Sequence, residues 1–290
     1  MRRFSHFACV DWSGAAGERH SGIKIALNGP DGPPQLLRPG HKWSRGDVAG
    51  WLLQLARESS NILVGMDLSF GFPFADKGCY FPQWDESPAD AKSLWAFVEH
   101  ICTRDPHMGA ASFISHHEGR RHFRHGKADV GDLFTGGVGR LRLVEAHQRA
   151  TRQANSWSCF NLVGAGQVGK GSLCGMRLLH HLHPHIPVWP FDPLPDTGPV
   201  LIEIYTAMAA RAAGIGGGRS KIRDSGTLDR ALAALDSTLP APLARYDDHS
   251  TDAMITAAWL RKASGNRGFW YPEKLNSHIA ATEGWTFGVI

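Results

Sequence analysis

The segment FACVDWSG, residues 7–14, has the composition of a central strand that ends at a carboxylate. Four apolar residues precede Asp11, and Ser13 and Gly14 then end the run, as small turn-forming residues do at the end of a strand. Strands of a parallel sheet are covered on both faces, so a charged residue in one needs a reason. The segment therefore predicts a buried strand that delivers Asp11 to its carboxyl end.

Two later apolar runs carry an acid in the same way. ILVGMD at residues 62–67 ends at Asp67, and VLIEIY at residues 200–205 contains Glu203. Open α/β sheets bind their ligands outside the carboxyl ends of their strands. We therefore expect Asp11 and Asp67 to be functional. For Glu203 two interpretations stay open: it joins them, or it forms an ion pair with an arginine of the segment that follows Asp67.

The order of the elements predicts a mixed sheet. Residues 21–27 and 35–38 predict two strands after the first, and Ser44, with Asp47 three residues later, predicts the N-cap of a helix. That helix leads to the strand at 62–67 by a crossover, which makes this strand parallel to the first. We expect an α/β fold in a single domain, residues 1–290, with three antiparallel strands, further parallel strands and flanking helices.

Residues 71–158 interrupt this rhythm. The segment is rich in His, Arg and Gly, and a loop region of this length in a compact domain is usually functional or mobile. It predicts a large, loop-rich insertion over the site, with one helix near residues 90–102. Its basic side chains either hold phosphate groups or belong to a solvated loop; they are Arg120, Arg121, Arg124 and Lys127.

The C-terminal third predicts a proline-rich extended connector, a long helix and a last strand. The connector covers residues 184–199, the helix opens at residues 247–252, and the tail at 285–290 reads as an edge strand. Asp248 and Asp252 are four residues apart, so they lie on one face of the helix. They either join the strand acids or serve only as an N-cap and a first-turn acid facing the helix dipole.

Composition sets broad limits on the class of protein. The apolar fraction of 42% and the charged fraction of 20% are typical of a soluble globular protein, and no apolar run is long enough to span a bilayer. Five cysteines without a CxxC pair favour reduced thiols, so we expect a cytoplasmic protein with no membrane partner. The net charge of +4 is compatible with nucleic acid as a partner.

Clustered carboxylates repel one another unless a cation shares their charge. Oxygen ligands favour hard divalent ions, so the expected cofactor is Mg²⁺ or Mn²⁺. Two such ions stabilise both the attacking and the leaving oxygen of a phosphoryl displacement. The acids therefore predict a hydrolase that acts on phosphodiester bonds.

The acidic motifs resemble a known family. VDWSG at 10–14, MDLSFGFP at 66–73, EIY at 203–205 and the helix that opens at 248 are similar to the predicted ribonuclease H-like nucleases called domain of unknown function 429. The resemblance spans nearly the whole chain. It implies a ribonuclease H-like fold in which Asp11, Asp67 and Asp252 hold metal, with Glu203 and Asp248 nearby. The insertion departs from a minimal nuclease.

A glycine-rich segment offers a second candidate site. Residues 164–170 match GxGxxG and the beginning of a P-loop, but Gly171 stands where a P-loop has Ser or Thr. The segment therefore predicts either a loop that holds a substrate phosphate, with Lys170 beside it, or a plain tight turn.

Two other functions stay open. The first is a sugar-kinase or actin-like ATPase that uses Ser13 in a phosphate loop, although it would need a second copy of the core. The second is a non-catalytic nucleic-acid-binding protein of the same fold.

Overall fold

The computed structural model describes residues 2–164, 167–215 and 221–290. Its strands are β1 His6–Asp11, β2 Arg19–His20, β3 Lys24–Asn28, β4 Gln35–Leu36, β5 Trp43–Ser44, β6 Ile62–Met66, β7 Val188–Trp189 and β8 Val200–Glu203. Its α-helices are α1 Arg45–Arg57, α2 Ala91–Cys102, α3 Ala111–Ser115, α4 Leu143–Ala150, α5 Val168–Leu182, α6 Thr206–Ala212, α7 Ser225–Ala233, α8 Asp248–Ala263, α9 Arg267–Trp270 and α10 Ser277–Thr282. Short 3₁₀ helices cover Pro106–Met108 and Gly119–His122.

The main sheet is mixed, with the order β4-β3-β1-β6-β8-β7. Strand β1 pairs antiparallel with β3, which pairs antiparallel with β4, whereas β6, β8 and β7 continue parallel on the other side of β1. The predicted α/β fold with antiparallel and parallel strands flanked by helices is confirmed. Val10 aligns with Met66, and Met66 aligns with Glu203, so the ends of β1, β6 and β8 lie side by side.

Both faces of the sheet carry apolar side chains, and helices cover both. Val10 belongs to a core shared with α1, α2 and α5, while Cys9 belongs to a second core built largely on α8. Side chains alternate along a strand, so Asp11 faces the same side as Cys9, and Asp67 the same side as Gly65. Both strand-end aspartates therefore point towards α8.

Gly65 allows α8 and the end of β8 to approach β6. A Cβ atom added at this position would lie 2.8 Å from Ile204 Cγ2 and 3.0 Å from Leu260 Cδ1.

We expect Gly65→Ala to destabilise the fold by about 1–3 kcal/mol, the usual effect of overpacking a core. Chemical denaturation would measure it. Gly50→Ala is the matched control: it lies inside α1 with open space around it and should gain about 0.5–1 kcal/mol. Equal effects at the two positions would contradict the packing explanation.

The predicted start of α1 is confirmed. Asp47 N donates to Ser44 Oγ at 2.9 Å, and Ser44 N donates to Asp47 Oδ2 at 3.0 Å. Aspartate thus completes a reciprocal capping box in place of the usual glutamate. The capped helix carries the chain from β5 back to the start of β6, which is the crossover that the sequence predicts.

Residues 71–158 contain more ordered structure than the sequence predicts. They include α2, α3, α4 and both 3₁₀ helices. Their aromatic side chains fill a core against the sheet, and six of them are fully buried: Phe72, Tyr80, Phe81, Trp95, Phe113 and Phe123. These aromatics are scattered among Gly, His and Arg without helical or strand periodicity, which is why the pattern suggested loops.

Two C-terminal expectations were wrong. The tail at 285–290 forms no strand; Trp285, Phe287 and Val289 are buried, and Phe287 N donates to the carbonyl of Glu203 at 2.9 Å. The connector at 184–199 is not wholly irregular, because β7 within it pairs parallel with β8 at the edge of the sheet. Of the helices in the described ranges, none combines the length and the apolar composition needed to cross a bilayer.

Candidate active site

The structure brings together three of the predicted acids. Asp11 is the last residue of β1, Asp67 directly follows β6, and Asp252 lies one turn into α8, which packs on β1 and β3. All three aspartates lie near the buried thiol of Cys9. Burial raises the pKa of this thiol well above the ordinary value, and the charges of Asp11, Asp67 and Asp252 raise it further. We call these three residues the acid cluster.

Asp11 is bonded to a histidine of the first turn of α8. It is 6% exposed, and its Oδ1 lies 3.2 Å from Nδ1 of His249. Burial raises the pKa of Asp11, while the bond to His249 opposes that rise. The same bond raises the pKa of His249. The half-exposed imidazole therefore shares a proton with the most buried acid of the cluster.

Asp67 is held by the chain that leaves β8. Thr206 donates to it twice, from Oγ1 to Oδ2 at 3.2 Å and from the backbone N to Oδ1 at 3.5 Å. These bonds are too long to offset burial and the nearby charge of Asp11, which raise the pKa of Asp67 to about 8. Around neutral pH this carboxyl group binds a proton unless a cation replaces it.

Asp252 is the least restrained member of the cluster. In the described ranges no donor or cation lies within bonding distance of its carboxylate. Burial raises its pKa to about 7, with further contributions from Asp11 and Asp248. An acid with raised pKa and unused oxygens is suited to binding a ligand that brings positive charge.

The raised pKa of Asp67 predicts a pH-dependent gain from Asp67→Asn. The folded-state pKa lies above the unfolded value, so stability from the neutral carboxyl is lost as the pH rises through about 8. Asparagine cannot ionise and escapes this loss. In EDTA we expect similar Tm values at about pH 4, near the unfolded pKa, and a Tm higher by at least about 2 °C for the variant near pH 9. If the variant is less stable than the wild type at both pH values, the raised pKa of Asp67 would be contradicted.

Asp248 lies on the same helix but is already neutralised. It pairs with Lys221 and, at 2.7 Å, with Nη1 of Arg223. Burial tends to raise its pKa, but these two cations lower it below the ordinary value. Asp247, not Asp248, is the N-cap of α8, through its bond from Ser250 N at 3.0 Å. Asp248 is therefore an ion-pair residue beside the acid cluster.

Glu203 reaches the same end of the sheet but is bound by an arginine of residues 71–158. Arg142 donates from Nη1 to Oε2 at 2.8 Å and from Nη2 to Oε1 at 2.6 Å. Phe70 N and Thr286 Oγ1 donate to the same carboxylate at 2.7 and 2.6 Å. Both oxygens are thus occupied, and Glu203 acts as a buried anchor for this arginine.

The basic residues of the insertion are paired mainly with its own acids. Arg121 contacts Asp132 and Glu118 at 2.9 Å, and Arg120 contacts Asp129 at 3.3 Å. Arg124 Nε donates to the carbonyl of Gly126 at 3.4 Å. Lys127 is exposed. Most of this positive charge is therefore balanced locally.

The end of the glycine-rich segment forms the first turn of α5, which begins at Val168. Positions 165 and 166 lie outside the described residues. Lys170 is exposed in this turn. Gly14 packs against the same turn so closely that a Cβ atom there would lie 2.3 Å from Gly171 N.

Two cavities open at this end of the sheet. One of about 300 Å³ is lined by Asp67, Glu203, Arg142 and the first turn of α5. The other, of about 740 Å³, is lined by the loop after β1, Arg45 and Lys170. Trp12, Gly14 and Gln167 contribute to both. The carboxyl ends of the strands thus face two adjoining spaces.

The acid cluster offers the oxygen ligands that a hard cation prefers, but it does not form a complete coordination shell. Within residues 2–164, 167–215 and 221–290, no three His, Cys, Asp or Glu side chains are arranged to hold a metal ion. Asp11 nevertheless lies near enough to the other two acids that its charge helps to raise the pKa of Asp67 and of Asp252. A cation there would need further oxygen ligands from water or substrate.

Of the two interpretations of Glu203, the ion pair with an arginine of the segment that follows Asp67 is confirmed, with Arg142 as the partner. The sequence did not indicate which arginine it is, and it did not indicate the partners of the other acids. Thr206 lies three residues after the end of β8, so its position near the strand ends is readable from the order of elements. Arg142, Lys221 and Arg223 have no such signal, because their acids lie far away along the chain.

Comparisons with protein-family models, with curated proteins and with solved structures find no match.

Proposed function

We propose that this chain is a ribonuclease H-like nuclease that hydrolyses phosphodiester bonds with the help of Mg²⁺ or Mn²⁺. The observation that carries the proposal is the acid cluster: three carboxyl groups from two neighbouring strand ends and one helix, all with raised pKa. Charged groups that burial and mutual repulsion perturb in this way are typical of functional sites.

The sheet supports the fold assignment. Strand β1 is central, with antiparallel neighbours on one side and parallel neighbours on the other. The resemblance implies the same arrangement, with the first acid on the first strand and the last acid on a helix that packs across the sheet. Asp11 on β1 and Asp252 on α8 occupy those places.

The three members of the cluster fit a divalent cation by chemistry and charge. Bound there, Mg²⁺ or Mn²⁺ would activate water and stabilise negative charge on the reacting phosphate. Asp11, Asp67 and Asp252 would hold it, and the protons that the apo-protein keeps on these groups would be released. Phosphate oxygens of the substrate would complete the shell that the protein leaves open.

Neighbouring side chains orient this cluster. Thr206 directs Asp67, and His249 directs Asp11 through Nδ1. The half-exposed imidazole is placed to exchange a proton with solvent through its other nitrogen. Arg142, held by Glu203 and Glu145, fixes the wall of the smaller cavity beside Asp67. Asp248 and Glu203 thus contribute through position and charge rather than as direct ligands.

Of the five predicted substrate-binding cations, Lys127 and Lys170 remain available for nucleic acid. In the described part of the chain, neither Lys127 nor Lys170 has an acidic partner within ion-pair distance. Arg120, Arg121 and Arg124 would reach phosphates only by exchanging their present partners. We therefore assign more of the substrate contact to Lys170, which lies at the strand ends, than to the insertion arginines.

A cleavage assay tests the proposal. End-labelled single- and double-stranded DNA and RNA are incubated with Mg²⁺, Mn²⁺ or EDTA. Cleavage of at least one substrate that requires metal is expected. Absence of cleavage of all four substrates with folded protein and saturating Mn²⁺ would contradict catalysis and favour the non-catalytic nucleic-acid-binding alternative.

The ATPase alternative receives less support. Within the described ranges the chain forms one six-stranded sheet and one two-stranded pair, and neither contains a second copy of the core that such an enzyme needs. Thermal stabilisation by ATP, but not by AMP, would favour it.

A further inference from the structure

The larger cavity, of about 740 Å³, shares Trp12 and Gly14 with the smaller one but is not lined by Asp67. Its volume falls within the range of small-molecule sites, roughly 300–1,000 Å³. Small side chains line the loop after β1, namely Gly14, Ala15, Ala16 and Gly17, and Ala110 and Ala111 line the opposite wall. Small residues on both walls leave room for a ligand and let it approach the backbone closely.

A buried cation without an acid lies in the wall of this cavity. Arg45 is 2% exposed, and in the described ranges no carboxylate lies within ion-pair distance of it. It is held by carbonyl oxygens instead: Nη2 donates to Ser13 at 3.0 Å and to Ala15 at 2.7 Å, and Nη1 donates to His107 at 2.9 Å. Burying an unpaired charge is costly, so its retention needs a reason.

These bonds leave the guanidinium available to a ligand. Its Nε also bonds the Ser13 carbonyl, at 3.3 Å, so four bonds are made. Since arginine has five N–H donors, one N–H of Nη1 stays without a protein acceptor among the described residues. The group is therefore fixed in place while keeping both its charge and a donor.

The surroundings of Arg45 are positive. The exposed Lys170 lies on the cavity wall without an acidic partner in the described ranges. The one acid of the lining is Asp105, which accepts bonds from Ser112 N and Oγ at 2.8 and 2.6 Å, so the lining carries Arg45 and Lys170 against a single carboxylate. Burial lowers the pKa of nearby His20, and the charge of Arg45 lowers it further. An anionic ligand would relieve this unbalanced charge.

We propose that this cavity binds a phosphate group, carried by a nucleotide or by a nucleic-acid strand, between Arg45 and Lys170. This goes beyond the proposed nuclease activity, because binding here requires neither the acid cluster nor a metal ion. The two cavities share Trp12 and Gly14, so a strand held here would continue towards Asp67.

Calorimetric titration in EDTA tests the site with AMP, inorganic phosphate and a short single-stranded oligonucleotide. Lys170→Glu and Ala111→Glu place a negative charge on opposite walls at exposed positions, so neither disturbs the buried Arg45. Each is expected to weaken binding about tenfold or more, the loss of a charge-assisted contact. Lys77→Glu, equally exposed and outside both cavities, should bind like the wild type.

The outcomes separate the two sources of phosphate. Tighter binding of AMP identifies a nucleotide pocket, and tighter binding of the oligonucleotide identifies a path for a strand; both support the site. No binding of any probe at millimolar concentration, or equal affinity in all variants, overturns it. Because the titration in EDTA needs no metal ion and measures no cleavage, failure of the nuclease proposal is distinguishable from failure of this one.

Discussion

Asp11→Asn is expected to reduce metal-dependent cleavage by at least about 100-fold, because outer contacts of a metal site alone are worth about 10–100-fold and Asp11 would be a direct ligand. The change keeps the size of the side chain and one oxygen, but removes the charge that a divalent ion requires. Its nearest bond, to His249, survives in a weaker neutral form. The fold should therefore stay intact while the activity is lost.

The measurement is the initial rate of cleavage in Mn²⁺ for the wild type, Asp11→Asn and Asp85→Asn. Asp85 is exposed and lines neither cavity, so it controls for the loss of one negative charge from the protein. An Asp11→Asn variant that cleaves at the wild-type rate would remove Asp11 from the mechanism.

Arg142→Met is expected to destabilise the protein by about 3–5 kcal/mol, the usual result of removing one partner of a buried ion pair. Arg142 is 1% exposed and bonds Glu203 twice and Glu145 once. Its Nη1 also donates to the carbonyl of Glu283 at 3.0 Å. Methionine fills the space but leaves two carboxylates buried without a cation.

Denaturant unfolding measures the lost free energy of unfolding, and two further variants serve as controls. Arg121→Met removes an arginine that also bonds two acids, but at the surface, where such pairs contribute little, so its unfolding midpoint should hardly change. Glu203→Gln in the Arg142→Met background should recover part of the loss, because it neutralises one stranded charge. If Arg142→Met is as stable as Arg121→Met, the buried network does not anchor the insertion to the sheet.

The strands and the acid cluster were predictable because local patterns encode them. Apolar runs bounded by turn residues located β1, β6 and β8, and a crossover helix between the first two made them parallel, which placed Asp11 and Asp67 side by side. The spacing of Asp248 and Asp252 likewise predicted that both lie on one face of the same helix. In each case the information lies within a few residues of the chain.

The partners that distinguish free acids from paired ones were not predictable in the same way. Glu203 and Arg142 are 61 residues apart, and only the packing of residues 71–158 against the sheet brings them together. β7 was missed because a two-residue strand among prolines has no periodicity. The glycines at 169 and 171 suggested a loop, yet both lie in α5 at close contacts. A Cβ atom at Gly169 would lie 2.3 Å from the carbonyl oxygen of Cys159, and the carbonyl of Gly171 accepts a hydrogen bond from Trp12 Nε1.

The most direct test of the nuclease proposal is calorimetric titration of Mn²⁺ and Mg²⁺ at about pH 9, where the cluster is largely deprotonated. Wild-type protein is compared with Asp11→Asn combined with Asp67→Asn. We expect the wild type to bind the metal ion and the folded double variant not to bind it. No binding to the folded wild type at millimolar metal, with a phosphodiester oligonucleotide present, or equal binding to both proteins, would contradict a metal site at these strand ends.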